Sequence, residues 1–273
     1  MTLLPAPVGA SHADRTDEPA EIEVAVLGPT EVRGIALGFS RASALELVVY
    51  LALHPQGASN DAWATALWPD RVMAPATLHS TASAARRALG RCEAGRDHLP
   101  RCHGRLQLAA TVTSDWRRFV AFAASVDPLD WSQGLELVRG APFEGLATAE
   151  WTVLEGVRAL IEDRVAELAC RVADRHLASG EPRVAAEAAR RGLLASPYDE
   201  RLYRRLLLCA DADGHPAGVE RVMVELLTHL EGGRPEAEVS AFDLAAVHPE
   251  TASLYARLSR RRRRKSGPST ITN

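Results

Sequence analysis

Pro75-Ala76-Thr77-Leu78-His79-Ser80-Thr81-Ala82-Ser83-Ala84-Ala85-Arg86-Arg87-Ala88-Leu89-Gly90 is the stretch on which the fold of the first half turns. Proline suits the first turn of a helix, where its φ is already right and its missing N–H would find no partner anyway. Gly90 is the residue type that ends a helix in the left-handed conformation. Leu78, Ala82, Ala85 and Leu89 recur at helical spacing, which predicts one buried stripe. The opposite face carries Ala76, Ser80, Ser83 and Arg87, flanked by His79 and Arg86. That face is small and polar at its start and basic at its end, so it can approach an anionic surface closely. The plainer reading is that Arg86 and Arg87 are solvated cations favoured by the negative end of the helix dipole.

Upstream of this helix, Ser43-Ala44-Leu45-Glu46 reads as a capping box before an apolar run and predicts a helix to about His54. Pro55-Gln56-Gly57 interrupts it. Ser59 to Asp61 then offer caps for a short second helix holding Trp63, Leu67 and Trp68, which Pro69 stops. Still earlier, Ile22, Val24 and Val26 alternate with other residues as in a half-buried strand, Gly28-Pro29 turns the chain, and Val32 with the 35–37 segment is expected to return as antiparallel strands. Downstream, Arg91, Arg96 and Arg101 lie in a loop, and the stretch from Arg101 to Leu108, with Arg105 in it, reads as a hairpin turning at Gly104. A small antiparallel sheet, three helices and a basic hairpin make a winged helix-turn-helix over residues 21–112.

Charge supports the same reading. The chain of 273 residues has a net charge of -3, with 47% hydrophobic residues, enough to build real cores. Residues 71–118 nonetheless hold nine arginines against three acids, and Arg260, Arg261, Arg262, Arg263, Arg264 and Lys265 form a second cationic run. Two basic islands in an otherwise acidic chain point to an anionic partner. Nearly all the basic residues are arginine, which we attribute to coding bias rather than chemistry. The longest apolar run, Leu47 to Leu53, is seven residues, against about 20 for a membrane-spanning helix. With no basic and apolar signal segment at the start, a cytoplasmic protein is expected. Cys92, Cys102, Cys170 and Cys209 form no CxxC pair, and the nine histidines are scattered. Neither a metal site, a cofactor motif nor a catalytic signature emerges, so a non-enzymatic role is expected. Residues 1–20, rich in Ala, Pro and Asp, read as a disordered leader, and 260–273 as a basic disordered tail.

From Asp115 onward the pattern is helical. Trp116, Phe119, Val120 and Phe122 open it, and 149–177 reads as one long helical stretch. Gly180-Glu181-Pro182 recurs 34 residues later as Gly214-His215-Pro216, with Ala178 matching Ala212 and Leu193 matching Leu227. That offset is the tetratricopeptide period, in which antiparallel helix pairs stack into an array with a concave face. The 231–247 segment, with Gly232, Gly233 and Pro235, reads as a loop, and Pro249-Glu250 opens a last helix through Leu258. An all-α, tetratricopeptide-like array over residues 113–259 is the expectation, and the fold class is mainly α.

Several stretches carry a resemblance. Val26-Leu27-Gly28-Pro29, Ala66-Leu67-Trp68-Pro69, Ser83-Ala84-Ala85-Arg86-Arg87-Ala88-Leu89-Gly90, the 194–203 segment around Pro197-Tyr198-Asp199-Glu200-Arg201 and the closing His248-Pro249-Glu250-Thr251 are similar to the bacterial transcriptional activator domain architecture of actinobacterial antibiotic regulatory proteins. The resemblance covers residues 22–259. It implies a transcription regulator whose winged helix docks on double-stranded promoter DNA and whose array contacts RNA polymerase or another regulatory protein; a homodimer on DNA and no membrane partner are expected beside it. In that picture His79, Ser80 and Ser83 touch base edges, Arg86, Arg87 and Arg105 meet phosphates, Arg101 joins the DNA-binding surface, and the cations at 260–265 add backbone contacts. Relatives carry an amide or basic residue where Ala76 and Ala84 stand, and an aromatic where Arg105 stands. The competing reading is an adaptor, in which the array binds a protein and the winged helix has been turned to protein contact.

Overall fold

The computed structural model describes residues 21–146, 149–214, 217–231, 239 and 243–265. The leader 1–20, His215-Pro216 of the repeat, most of the 231–247 loop and residues 266–273 lie outside the described residues. The chain divides into two units: the described residues up to Val24 with Val32–Thr113, and Ala25–Glu31 with the chain from Ser114 onward.

The first unit opens on β1 (Ile22–Ala25) and β2 (Glu31–Arg33), and a later strand, β5 (Val112–Ser114), completes a three-stranded sheet in the order β2-β1-β5. The 35–37 segment, expected as a strand, is none: Gly34 turns the chain at φ +84° and Leu37 is exposed. Its place in the sheet is taken by β5, which lacks the length to announce itself. Three helices follow, α1 (Ala42–Leu53), α2 (Asn60–Leu67) and α3 (Pro75–Leu89). The expected capping box does not form. Arg41 is the N-cap of α1, Ser43 falls inside the first turn, and Glu46 is buried at 2% exposure. Ser59 does cap α2, accepting from the Ala62 amide at 3.2 Å, and Gly90 ends α3 at φ +72°. Leu47, Val48, Leu51, Trp63, Ala85 and Leu89 are buried in the core of this unit.

The two-stranded hairpin β3 (Arg101–Cys102) and β4 (Arg105–Leu106) turns through His103 and Gly104, both at positive φ (+49° and +79°), as a type I′ turn requires. Its base is tied to the α1–α2 turn. Ala58 and Leu106 exchange amide hydrogen bonds of 2.8 Å in both directions. A Cβ on Gly57 would stand 2.4 Å from Leu106 O, which is why glycine occupies that turn.

The second unit contains α4 (Asp115–Ala124), α5 (Pro128–Glu136), α6 (Glu150–Leu154), α7 (Val157–Ala178), α8 (Pro182–Ala195), α9 (Glu200–Ala212), α10 (Gly218–Glu231) and α11 (Pro249–Lys265), with a 3-10 turn at Asp243–Ala245. The long helix expected over 149–177 is broken: Gly156 adopts φ +71° and separates α6 from α7. The 34-residue offset appears as two helix pairs, α7–α8 and α9–α10, with Gly180 and Gly214 both left-handed (φ +75° and +71°) just after the first helix of each pair. Gly192 lets α8 approach its neighbours on both sides, since a Cβ there would lie 2.7 Å from Ala169 Cβ on α7 and 2.9 Å from Leu202 Cδ1 on α9. Ile161, Val165, Leu168, Ala189, Leu202, Leu206, Met223 and Leu227 form the buried seam, each large side chain contributing about 1.5–3 kcal/mol on leaving water. The expected disordered tail needs correction over residues 260–265 alone, since 266–273 lie outside the described residues. α11 runs on through Arg260 to Lys265, because arginine is a good helix former and cations suit a helix C-terminus.

Ala25–Glu31 joins the second unit for an identifiable reason. Asp115, at the start of α4 and 2% exposed, accepts from Val26 N at 2.8 and 2.9 Å and from Leu27 N at 3.0 Å. Arg139 N donates to Leu27 O at 2.7 Å, Phe143 N to Val26 O at 3.0 Å and Thr30 N to Glu144 O at 2.8 Å. Gly28, at φ +146°, could not carry a side chain: its Cβ would meet Arg139 Cβ and Gly140 N at 2.8 Å. The Val26-Leu27-Gly28-Pro29 stretch is thus built to be held by α4 and the 139–144 segment.

Candidate nucleic-acid interface

Helix α3 is positioned by its buried stripe, Leu78, Ala82, Ala85 and Leu89, together with Thr81, Ala84 and Ala88. Ala84 is 7% exposed and so belongs to the buried side of the helix, not to its outer face. Ala76 is exposed, as are His79, Ser83 and Arg87, while Ser80 and Arg86 are half-buried. The outward strip is therefore Ala76, Ser80, Ser83 and Arg87, with His79 alongside.

The candidate residues differ in what holds them. Ser80 donates its hydroxyl proton to Thr77 O at 3.0 Å and accepts from Arg41 Nη1 at 2.9 Å. Arg86 turns back and donates through Nε to Leu99 O at 2.9 Å, tying the end of α3 to the segment before the hairpin. Arg101 donates to Gly104 O at 2.8 Å and to Asn60 Oδ1 at 3.0 Å, so it bridges β3 to the start of α2. Arg105 donates to Gln56 O at 3.2 Å and Gly57 O at 2.7 Å, and Gln107 reaches Pro55 O at 2.9 Å. Arg86 and Arg105, expected from sequence to meet phosphates, are thus bonded to backbone carbonyls of the 99 segment and the α1–α2 turn. Arg87 is exposed, one turn beyond Ser83, and has no such clamping bond among the described residues.

Behind the interface, His98 is 2% exposed and its Nδ1 lies 2.7 Å from Thr111 Oγ1, with Nε2 3.4 Å from Glu21 Oε2. These bonds fix the segment between α3 and the hairpin. Sequence reasoning overlooked Arg41 altogether. No local signal marked it, because the capping pattern pointed to Ser43 and only the fold makes Arg41 the N-cap of α1, 2.9 Å from Ser80.

In the second unit, α7, α9 and α11 enclose a groove of about 560 Å³ lined by Asp174, Arg204, Arg205, Glu250 and Arg257 with Leu208 and Leu254. Arg205 pairs with Asp174 at 2.8 Å and Arg204 with Glu250 at 3.3 Å and Thr251 Oγ1 at 3.1 Å. Of the C-terminal cations, Arg260 is exposed and Arg261 pairs with Asp211 at 3.0 Å. The side chains of Arg262, Arg263, Arg264 and Lys265 lie outside the described residues. No group of metal-ligating side chains and no helix long and apolar enough to cross a membrane occurs among the described residues.

A family model, the bacterial transcriptional activator domain, matches residues 122–242. The fold is similar to that of EmbR from Mycobacterium tuberculosis, solved in complex with a low-affinity phosphopeptide, with a TM-score of 0.61 and 21% identity over 88% of this chain. The chain spans 65% of the length of that relative. A search of curated proteins found no match. The family match thus runs from within α4 to the segment after α10, and the likeness to the solved structure is one of fold, a winged helix followed by stacked helix pairs.

Proposed function

We propose that the protein is a transcription regulator in which α3 enters the major groove of duplex DNA and the helical array recruits a protein partner, RNA polymerase or another regulator. The observation that carries this reading is the outward strip of α3, Ala76, Ser80, Ser83 and Arg87: it is narrow at the start, charged at the end and free of bulky apolar groups. A helix meant to pack on protein would show apolar residues there. Within the same reading His79 and Ser83 face base edges, Arg87 meets phosphate, and the β3–β4 hairpin with Arg101 and Arg105 flanks the groove. The cations of α11 add backbone contacts without base information.

The array is read as the protein-binding half. Residues 119–259 are acidic on balance and do not suit a polyanion, whereas the groove among α7, α9 and α11 offers charges of both signs around Leu208 and Leu254. The test is recovery of bound fragments from sheared genomic DNA by the purified chain, followed by sequencing. Fragments sharing a motif support the regulator. Recovery indistinguishable from input DNA, with the array still capturing a protein, would favour the adaptor.

A further inference from the structure

Helix α1 begins with a cation where helices disfavour one. Arg41 is its N-cap, the helix has neither a capping side chain nor an acid in its first turn, and the dipole places positive potential at that end. Helix formation does not explain an arginine there. Its contacts do. Arg41 Nη1 donates to Ser80 Oγ at 2.9 Å, across 39 residues of sequence, and Ser80 spends its only hydroxyl proton on Thr77 O at 3.0 Å. Ser80 therefore has no proton to offer a base edge. Arg41 remains exposed, with Nε and Nη2 not engaged by that bond.

The placement matters because of what lies at the other end of the strip. Ser80 and Arg87 are seven residues apart on α3, about 10 Å along the axis, close to the ~12 Å width of a major groove. Arg41 at the Ser80 end and Arg87 at the other bracket Ser83. A helix lying in the groove with a cation at each end of its exposed strip can reach backbone phosphate on both walls.

We infer that Arg41 is a phosphate contact of the α3 interface and that Ser80 is its positioning residue rather than a reader of bases. The inference rests on the duplex-binding reading of the preceding subsection and adds a contact from a different helix. Because the contact is to backbone, it strengthens binding to every sequence alike.

The experiment titrates the full chain against a fluorophore-labelled duplex of mixed sequence over a range of salt concentrations, with the variants Arg41→Ala, Arg41→Gln, Arg41→Lys, Ser80→Ala and Arg87→Ala. Loss of one phosphate contact flattens the log–log salt slope by about 1 and weakens binding about eightfold at 0.1 M salt. Arg41→Ala and Arg41→Gln are expected to show that loss. The Gln variant keeps a donor for Ser80, so it reports charge even if the Ala variant folds poorly by circular dichroism. Arg41→Lys keeps the slope. Ser80→Ala keeps the slope as well, but weakens binding in the wild-type background and not in the Arg41→Ala background, the mark of a residue acting through Arg41. If Arg87→Ala flattens the slope while Arg41→Gln leaves slope and affinity as in wild type, duplex binding stands and the Arg41 assignment is overturned. If the wild-type chain shows no salt-dependent duplex binding, both readings fall.

Discussion

Replacing Asp115 by alanine removes the acceptor that holds the Val26-Leu27 backbone in the second unit. Three contacts of 2.8–3.0 Å end on its carboxylate, from two amides, and Arg139 Nη2 lies 3.5 Å away. An amide left buried without a partner costs about 1–3 kcal/mol, so two orphaned amides cost about 2–6 kcal/mol, centred near 4. The negative charge at the start of α4 is worth about 0.5 kcal/mol more through the helix dipole. Asparagine retains one acceptor oxygen and is expected to lose about half as much. Urea unfolding of the full chain followed by far-ultraviolet circular dichroism gives the overall loss, and amide hydrogen exchange at Val26 and Leu27 localises it. A loss below about 1 kcal/mol for the alanine variant, with those amides still protected, would refute the assignment of Asp115 as the clasp.

The same residue carries a pH dependence with a definite sign. Burial raises the Asp115 pKa above the usual aspartate range, outweighing the amide bonds and Arg139 that pull it down. A carboxyl raised in the folded state binds its proton more tightly there than in the unfolded chain. Its contribution is therefore complete below the ordinary aspartate range and declines as pH rises through the raised native value. The stability of the wild type relative to Asp115→Asn is accordingly largest at acid pH and falls toward neutrality. A difference that grows with pH across that window would show the opposite balance.

Other expectations follow from the same contacts. Arg87→Ala is expected to flatten the salt slope of duplex binding by about 1 without changing stability, whereas Arg86→Ala and Arg105→Ala release Leu99 and the Gln56-Gly57 turn and lower the melting temperature as well; equal stability in all three would contradict the clamping role. Gly192→Ala inserts a methyl 2.7 Å from Ala169 Cβ, so overpacking of about 1–3 kcal/mol outweighs the ~1 kcal/mol gained in helix propensity, and urea unfolding should show net destabilisation. Cys209 is buried and its thiol is pushed up to about 11 by burial, so iodoacetamide at neutral pH should label half-buried Cys102 first and Cys209 only on unfolding. Deleting residues 260–273 shortens α11 and removes the Arg261–Asp211 pair; it is expected to weaken specific and non-specific duplex binding by one common factor that vanishes at high salt, and a changed sequence preference would contradict that.

Helices α2 and α3 and the repeat were legible in residue order, because their signals are local. Ser59, Pro75 and Gly90 act within one turn of where they stand, apolar spacing of three and four names a buried face, and Gly180 and Gly214 mark a period without reference to anything distant. The same locality explains the failures. Ser43-Ala44-Leu45-Glu46 satisfies the capping pattern, yet core packing takes Glu46 inside and moves the helix start to Ala42. Residues 35–37 have strand composition, but a strand exists only against a partner, and β1 pairs with β2 and β5 instead.

For the interface, residue order placed His79, Ser83 and Arg87 on one outward face through periodicity alone. It could not say which arginines are already occupied, because the partners of Arg86 and Arg105 are backbone carbonyls 13 and 48–49 residues away. Nor could it show that Ser80 is capped by Arg41 from another helix or that Asp115 reaches back 89 residues to Val26. A side chain's reach is set by sequence, but what stands within that reach is set by how the helices pack, and there tertiary structure alone decides which polar groups are spent and which remain for a partner.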